Sequence, residues 1–227
     1  LNSDISEPFH NRITQQGIPS TDKTCLTIPA LKDAIRRSGL IGKALMTNSN
    51  YELGPFSGPD DSETLDRARS ALNLFFSQVR SANMTQWEDG REGYICTNVS
   101  IQAYIMLLGS LIKYWEVNTA ADSREMPIEE IISEIEEYLA PVIELLEHAT
   151  PAEMKTQFEV PFGSGGPVEY DYRLCRLVKS KYADFQPEGM TDWEAEQSEE
   201  KIQSADRKVS EISVQMKKHI FEVFRNL

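Results

Sequence analysis

The sequence predicts a mainly α protein: a multi-helix, bundle-like domain with little strand, continued by a long C-terminal helix. Three observations predict it. Apolar residues recur at steps of three and four along most of the chain, the spacing of one helix face. Capping residues, prolines and glycines bracket those stretches where helices should begin and end. Alternating apolar and polar runs are scarce, which leaves room for one small strand pair near the N-terminus.

Residues 1–27 are punctuated by Pro8, Gly17 and Pro19 and read as an extended entry segment or the tail of a preceding domain. A short helix is expected over 28–38, with Thr27 as its cap, Pro29 in its first turn and Gly39 at its end. A loop rich in Gly, Pro and Asn covers roughly 47–60. The next helix starts at 60–62 and places Leu65, Ala68, Leu72, Phe75, Phe76 and Val79 on one face. A helix over 98–117 is apolar nearly all round, from Ile101 to Trp115, and belongs at the centre of the core. A further helix opens at Pro127, turning Ile128, Ile131, Ile132, Ile135 and Leu139 inward and its glutamates outward. Pro141 should kink or split it, because proline lacks an N–H and clashes with the preceding turn. Thr150–Pro151 reads as the cap and first residue of a short helix. After a glycine loop a helix is expected over 167–183, in a helical domain spanning 28–187. "TDWE" at 191–194 has the capping-box pattern, with Thr191 and Glu194 as its members, and opens a helix over 191–227.

Hydrophobic content of 40% and charged content of 26% fit a soluble globular protein. The formal net charge of -13 argues against broad nucleic-acid binding, which needs a surplus of Lys and Arg on one face. The charge is uneven. Residues 122–159 hold eleven acids against two bases, whereas the first fifty residues hold four acids and six bases. Arg12, Lys32, Arg36, Arg37 and Lys43 therefore form a candidate nucleic-acid contact near the N-terminal end. Cys25, Cys96 and Cys175 are odd in number and far apart, with no metal-binding spacing. They read as reduced thiols of a cytoplasmic protein, with no disulfide framework, no metal and no cofactor. No apolar stretch is long enough to span a bilayer and no signal peptide opens the chain, so no membrane partner is expected. The first residue is Leu1 rather than methionine, which reads as a fragment or a processed product.

No catalytic constellation stands out. His10, His148 and His219 have no ligand-spaced neighbours and read as packed or surface histidines. "PDDSE" at 59–63 offers acids to a metal-dependent nuclease, but no E-x-K partner follows. Helix capping explains Asp60, Asp61 and Ser62 better. The glycine loop in "PFGSGGPVEYDYRL" (161–174) has two readings. As an anion or partner site it would use Ser164, Gly165 and Gly166 at a helix N-terminus, with Arg173 and Arg176 adding charge. As a tight turn it would use Gly166 or Ser164 as the cap and Pro167 as the first helical residue. Pro167 and Val168 occupy the places where a phosphate loop needs Lys and Ser or Thr, and Glu169 and Asp171 would repel an anion. The turn is favoured. Further on, Ile202, Ala205, Val209, Ile212, Met216, His219 and Val223 follow alternating steps of three and four. This heptad seam suits either self-association or a helix laid on the chain's own domain.

Four landmarks, taken in order, give a family resemblance. They are Pro8–Phe9 with Arg12–Ile13, then Trp87–Glu88–Asp89, then Thr97–Asn98, and finally Gly163 to Gly166 with Glu169, Tyr170 and Arg173. Across residues 1–187 this resembles the region downstream of the core in DGQHR-domain proteins, relatives of the DndB regulator of bacterial DNA phosphorothioation. The Asp-Gly-Gln-His-Arg signature does not occur in these 227 residues. The resemblance thus implies the helical C-terminal part of a longer protein whose ParB-like core lies elsewhere. It implies a setting in DNA modification or phage defence and a non-catalytic interaction or regulatory role, through protein partners or a second copy. Two alternatives stand beside it: a DNA-binding module using the basic residues, with nucleic acid reached through the full-length protein, and a composite enzyme site shared with the core.

Overall fold

The structure is a computed structural model that describes residues 7–14, 21–44, 51–160 and 165–199. The chain divides into two compact units, Leu1–Pro187 and Glu188–Leu227.

The first unit is helical, and local chemistry sets its helix bounds. α1 (Ile28–Ser38) opens where the Thr27 side chain accepts from the Ala30 N–H, and it closes at Gly39, whose φ of 70° needs glycine. α2 (Asp61–Ala82) is capped by Asp60, which accepts from the Glu63 N–H at 2.9 Å. The short α3 (Met84–Glu88) follows directly, capped by Asn83. α4 (Asn98–Thr119) starts on a reciprocal capping box between Thr97 and Ser100. A 3-10 turn (Ser123–Glu125) leads into α5 (Ile128–His148). α6 (Pro151–Phe158) has a second capping box, formed by Thr150 and Glu153. α7 (Gly166–Lys181) completes the unit. Among the described residues, strand is limited to an isolated parallel bridge, Ile13 with Leu26, and a two-residue antiparallel ladder, Lys43–Ala44 with Tyr51–Glu52.

α4 is the central element. Ten of its residues, from Ser100 to Trp115, are buried, and it packs against α1, α5 and α7. α5 lies between α2 and α7. The α1–α4 crossing is close because Gly109 lies there: a Cβ on it would stand 2.5 Å from the Ser38 carbonyl oxygen.

Four expectations are corrected. Leu65 is exposed at 69% and Ala68 only half-buried, so the inward face of α2 begins at Ala71. Pro141 does not split α5, which continues as one helix to His148. The carbonyl that Pro141 cannot serve, that of Glu137 four residues earlier, accepts the Tyr182 hydroxyl at 3.0 Å. α7 takes Gly165 as its cap without a side-chain bond, rather than Gly166 or Ser164, and residues 161–164 lie outside the described residues. In the second unit the helix begins at residue 190, where the Trp193 N–H donates to the Gly189 carbonyl at 3.1 Å, so Thr191 sits inside the first turn. The described part of that helix covers 190–199.

Candidate functional site

Of the four landmarks, spread over some 165 positions, Phe9, Arg12, Trp87 and Tyr170 are buried in the first unit. Phe9 is fully buried against Phe76 of α2 (centroids 4.8 Å apart) and Trp87 of α3 (6.0 Å). Trp87 in turn donates its indole N–H to the Pro8 carbonyl at 3.2 Å. Phe76 meets Tyr104 edge-on at 6.4 Å, Tyr104 meets Tyr170 at 6.0 Å, and Tyr170 stacks on Phe158 at 4.5 Å. One aromatic chain thus links the entry segment to α2, α3, α4, α7 and α6, with the edge-on and offset geometries that aromatic pairs favour.

The polar landmark residues are used in the same way. Arg12 is 4% exposed; its guanidinium pairs with the Glu88 carboxylate and donates to the Glu88 carbonyl at 3.3 Å. Arg80 reaches the same carboxylate at 3.1 Å from α2. Asn98 accepts from the Thr27 N–H at 2.9 Å, tying the start of α4 to the start of α1. Arg173 pairs with Glu169 and donates to the Gln157 and Glu159 carbonyls at 2.7 and 3.2 Å, holding the C-terminal end of α6 onto α7. Arg176 is exposed. Arg173 and Arg176 therefore sit on one helix, with the Arg173 guanidinium on the carbonyls of Gln157 and Glu159 at the end of α6.

Of the candidate nucleic-acid residues, Arg12 is interior. Lys32, Arg36 and Arg37 all lie on α1, where Arg36 and Arg37 both pair with Asp33, at 2.6 and 2.7 Å. These guanidiniums hold the Asp33 carboxyl below its ordinary range, the Arg36 hydrogen bond contributing most. Lys43 enters the two-residue ladder through its backbone. The seam residues Ile202, Ala205, Val209, Ile212, Met216, His219 and Val223 lie outside the described residues, as does Ser164.

Two clusters escaped the linear reading. Asp171, at 4% exposure on α7, has a carboxyl that burial pushes up to about 8; the Cys175 thiol 3.7 Å away opposes this only in part. Its position just after the glycine loop marked it as an acid that would repel an anion, and only packing shows it as an inward one. Cys25 and Cys96, 71 positions apart, bring their Sγ atoms to 3.9 Å in the interior. No spacing rule pairs cysteines across such a distance.

A groove of about 380 Å³ runs between α2 and α5, lined by Leu74, Ser77, Gln78, Ile132, Glu129 and Glu136 among others. Gln78 donates across it to Glu136. Among the described residues, no group of three or more His, Cys, Asp or Glu side chains is placed to hold a metal ion, and no helix is long and apolar enough to cross a membrane. No known family profile, curated protein or solved structure matches the chain.

Proposed function

We propose that this chain is a non-catalytic interaction module: the helical C-terminal region of a cytoplasmic DGQHR-domain, DndB-like protein acting in bacterial DNA modification or phage defence. The observation that supports it is the part the landmark residues play in the fold. Arg12 pairs with Glu88, Trp87 bonds Pro8 and Tyr170 meets Tyr104, while Asn98, Glu169 and Arg173 tie helix ends to their neighbours, so the described residues that carry the resemblance are used in holding the fold. Residues that hold a fold together are a weak basis for chemistry and a good basis for presenting surfaces. Two features serve presentation. The outer face of α5 is acidic, which suits protein partners better than nucleic acid. The heptad seam from Ile202 to Val223 suits a second copy of the chain.

The experiment is a titration of labelled duplex DNA at low salt, run beside a solution-mass measurement. The module predicts no anisotropy change with DNA and a mass above one chain. DNA binding that weakens steeply with salt and is lost on reversing Lys32, Arg36 and Arg37 would replace it with the DNA-binding reading.

A further inference from the structure

Cys25 and Cys96 each stand one or two residues ahead of a helix cap. Thr27 caps α1 and Thr97 caps α4. The two helix starts are already joined by the hydrogen bond from the Thr27 N–H to the Asn98 side chain. The bridge of Leu26 to residues 12–14 holds Cys25 from the other side, with Leu26 donating to the Arg12 carbonyl at 2.9 Å and Thr14 donating to the Leu26 carbonyl at 2.7 Å. The two sulfurs therefore sit on backbone that is pinned at both ends, 3.9 Å apart. A disulfide has its sulfurs about 2.0 Å apart, so closure brings the two sulfurs nearer by about 1.9 Å.

The surroundings separate the two thiols. The Cys25 thiol is lowered, first by its hydrogen bond with Cys96 and then by the nearby guanidiniums of Arg12 and Arg91. The Cys96 thiol is raised by the same hydrogen bond and by burial. The guanidiniums of Arg12 and Arg91 favour the thiolate at Cys25, which is therefore assigned the attacking role. Cys175 is elsewhere, on α7 beside Asp171, where burial raises its thiol.

We propose that Cys25 and Cys96 are an oxidisable pair that hydrogen peroxide closes to an intramolecular disulfide, fastening the start of α1 to the start of α4. In the first step the Cys25 thiolate attacks one peroxide oxygen; the O–O bond breaks, hydroxide leaves and takes up a proton, and Cys25 becomes a sulfenic acid. In the second, the Cys96 sulfur loses its proton and attacks the Cys25 sulfur. The S–O bond breaks, and the departing hydroxide becomes a second water. Both sulfurs are oxidised, each giving up one electron overall, and the peroxide is reduced to two waters.

The test uses the full chain, reduced, desalted and exposed to a small excess of hydrogen peroxide, then unfolded and treated with iodoacetamide. Alkylatable thiols are expected to fall from three to one, with a linked peptide containing Cys25 and Cys96 and full reversal by dithiothreitol. Cys175→Ala should still give the linked peptide, whereas Cys25→Ala and Cys96→Ala should each give none. Three alkylatable thiols after peroxide, oxygen addition without a linked peptide, or a link that includes Cys175 would each overturn the pair. The wild-type measurement decides the matter even where a core substitution fails to fold.

Discussion

Asp171→Asn removes one titrating proton from the interior of α7 and leaves the side-chain volume almost unchanged. In the folded chain the Asp171 carboxyl is pushed up to about 8 by burial; an unperturbed aspartate has a value of 3.8. Between those two values the folded state holds a proton that the unfolded state has released. Stability then falls as pH rises, by about 1.4 kcal/mol per pH unit. The protonated carboxyl's contribution is fully present below 3.8 and is lost as pH passes through about 8. From about pH 5 to about pH 7 the wild type should lose about 3 kcal/mol relative to the asparagine variant, whose side chain is neutral throughout. Any constant cost of the amide cancels, because only the two slopes are compared. Glu7, Asp33, Asp122 and Glu153 all have lowered values and titrate below this window, so they do not contribute to the difference. Urea unfolding of both proteins, followed by circular dichroism at three pH values, provides the comparison. Parallel stability curves for wild type and variant would refute it and would place an ionised, compensated carboxylate at this position.

Three further outcomes follow from the packing. Glu88→Ala should cost about 3 kcal/mol, because it strands the Arg12 guanidinium in the interior, whereas Arg80→Ala, which removes the more exposed partner, should cost about 1 kcal/mol or less; chemical denaturation ranks the two. Gly109→Ala would gain about 1 kcal/mol in an open helix, but the Ser38 carbonyl 2.5 Å from the new Cβ should reverse the sign and lower the unfolding midpoint. Tyr182→Phe should cost about 1 kcal/mol by leaving the Glu137 carbonyl without its hydroxyl partner. The cost should shrink in a Pro141→Ala background, where a backbone N–H returns to serve that carbonyl, and a double-mutant cycle measures the coupling.

What the sequence made readable was local. Thr27, Pro29 and Gly39 bounded α1, and Asp60 and Thr150 marked two more helix starts, because a cap is formed by residues three or four apart. The apolar girth of α4 likewise announced its central place. What it concealed depends on partners far along the chain. Arg12 looked like a surface base until Glu88, a half-exposed acid 76 positions on, paired with its buried guanidinium. Pro141 looked like a break until Tyr182, 45 positions on, served the orphaned carbonyl. Leu65 shares the period of the core residues but precedes the buried stretch of α2, and periodicity does not say where the covering partner ends. The cysteine pair and the buried Asp171 were hidden for the same reason: neither spacing nor helical phase reports which side of a helix the rest of the fold covers.

The central proposal is that this chain serves by association rather than by chemistry, and its mass in solution tests that most directly. Light scattering over a range of concentrations should give twice the single-chain mass of 25.8 kDa for the wild type. Ile212→Asp, which places a charge in the middle of the heptad seam, should return it to one chain mass with its circular dichroism retained. A wild-type chain that stays at 25.8 kDa at every concentration would contradict self-association through the seam.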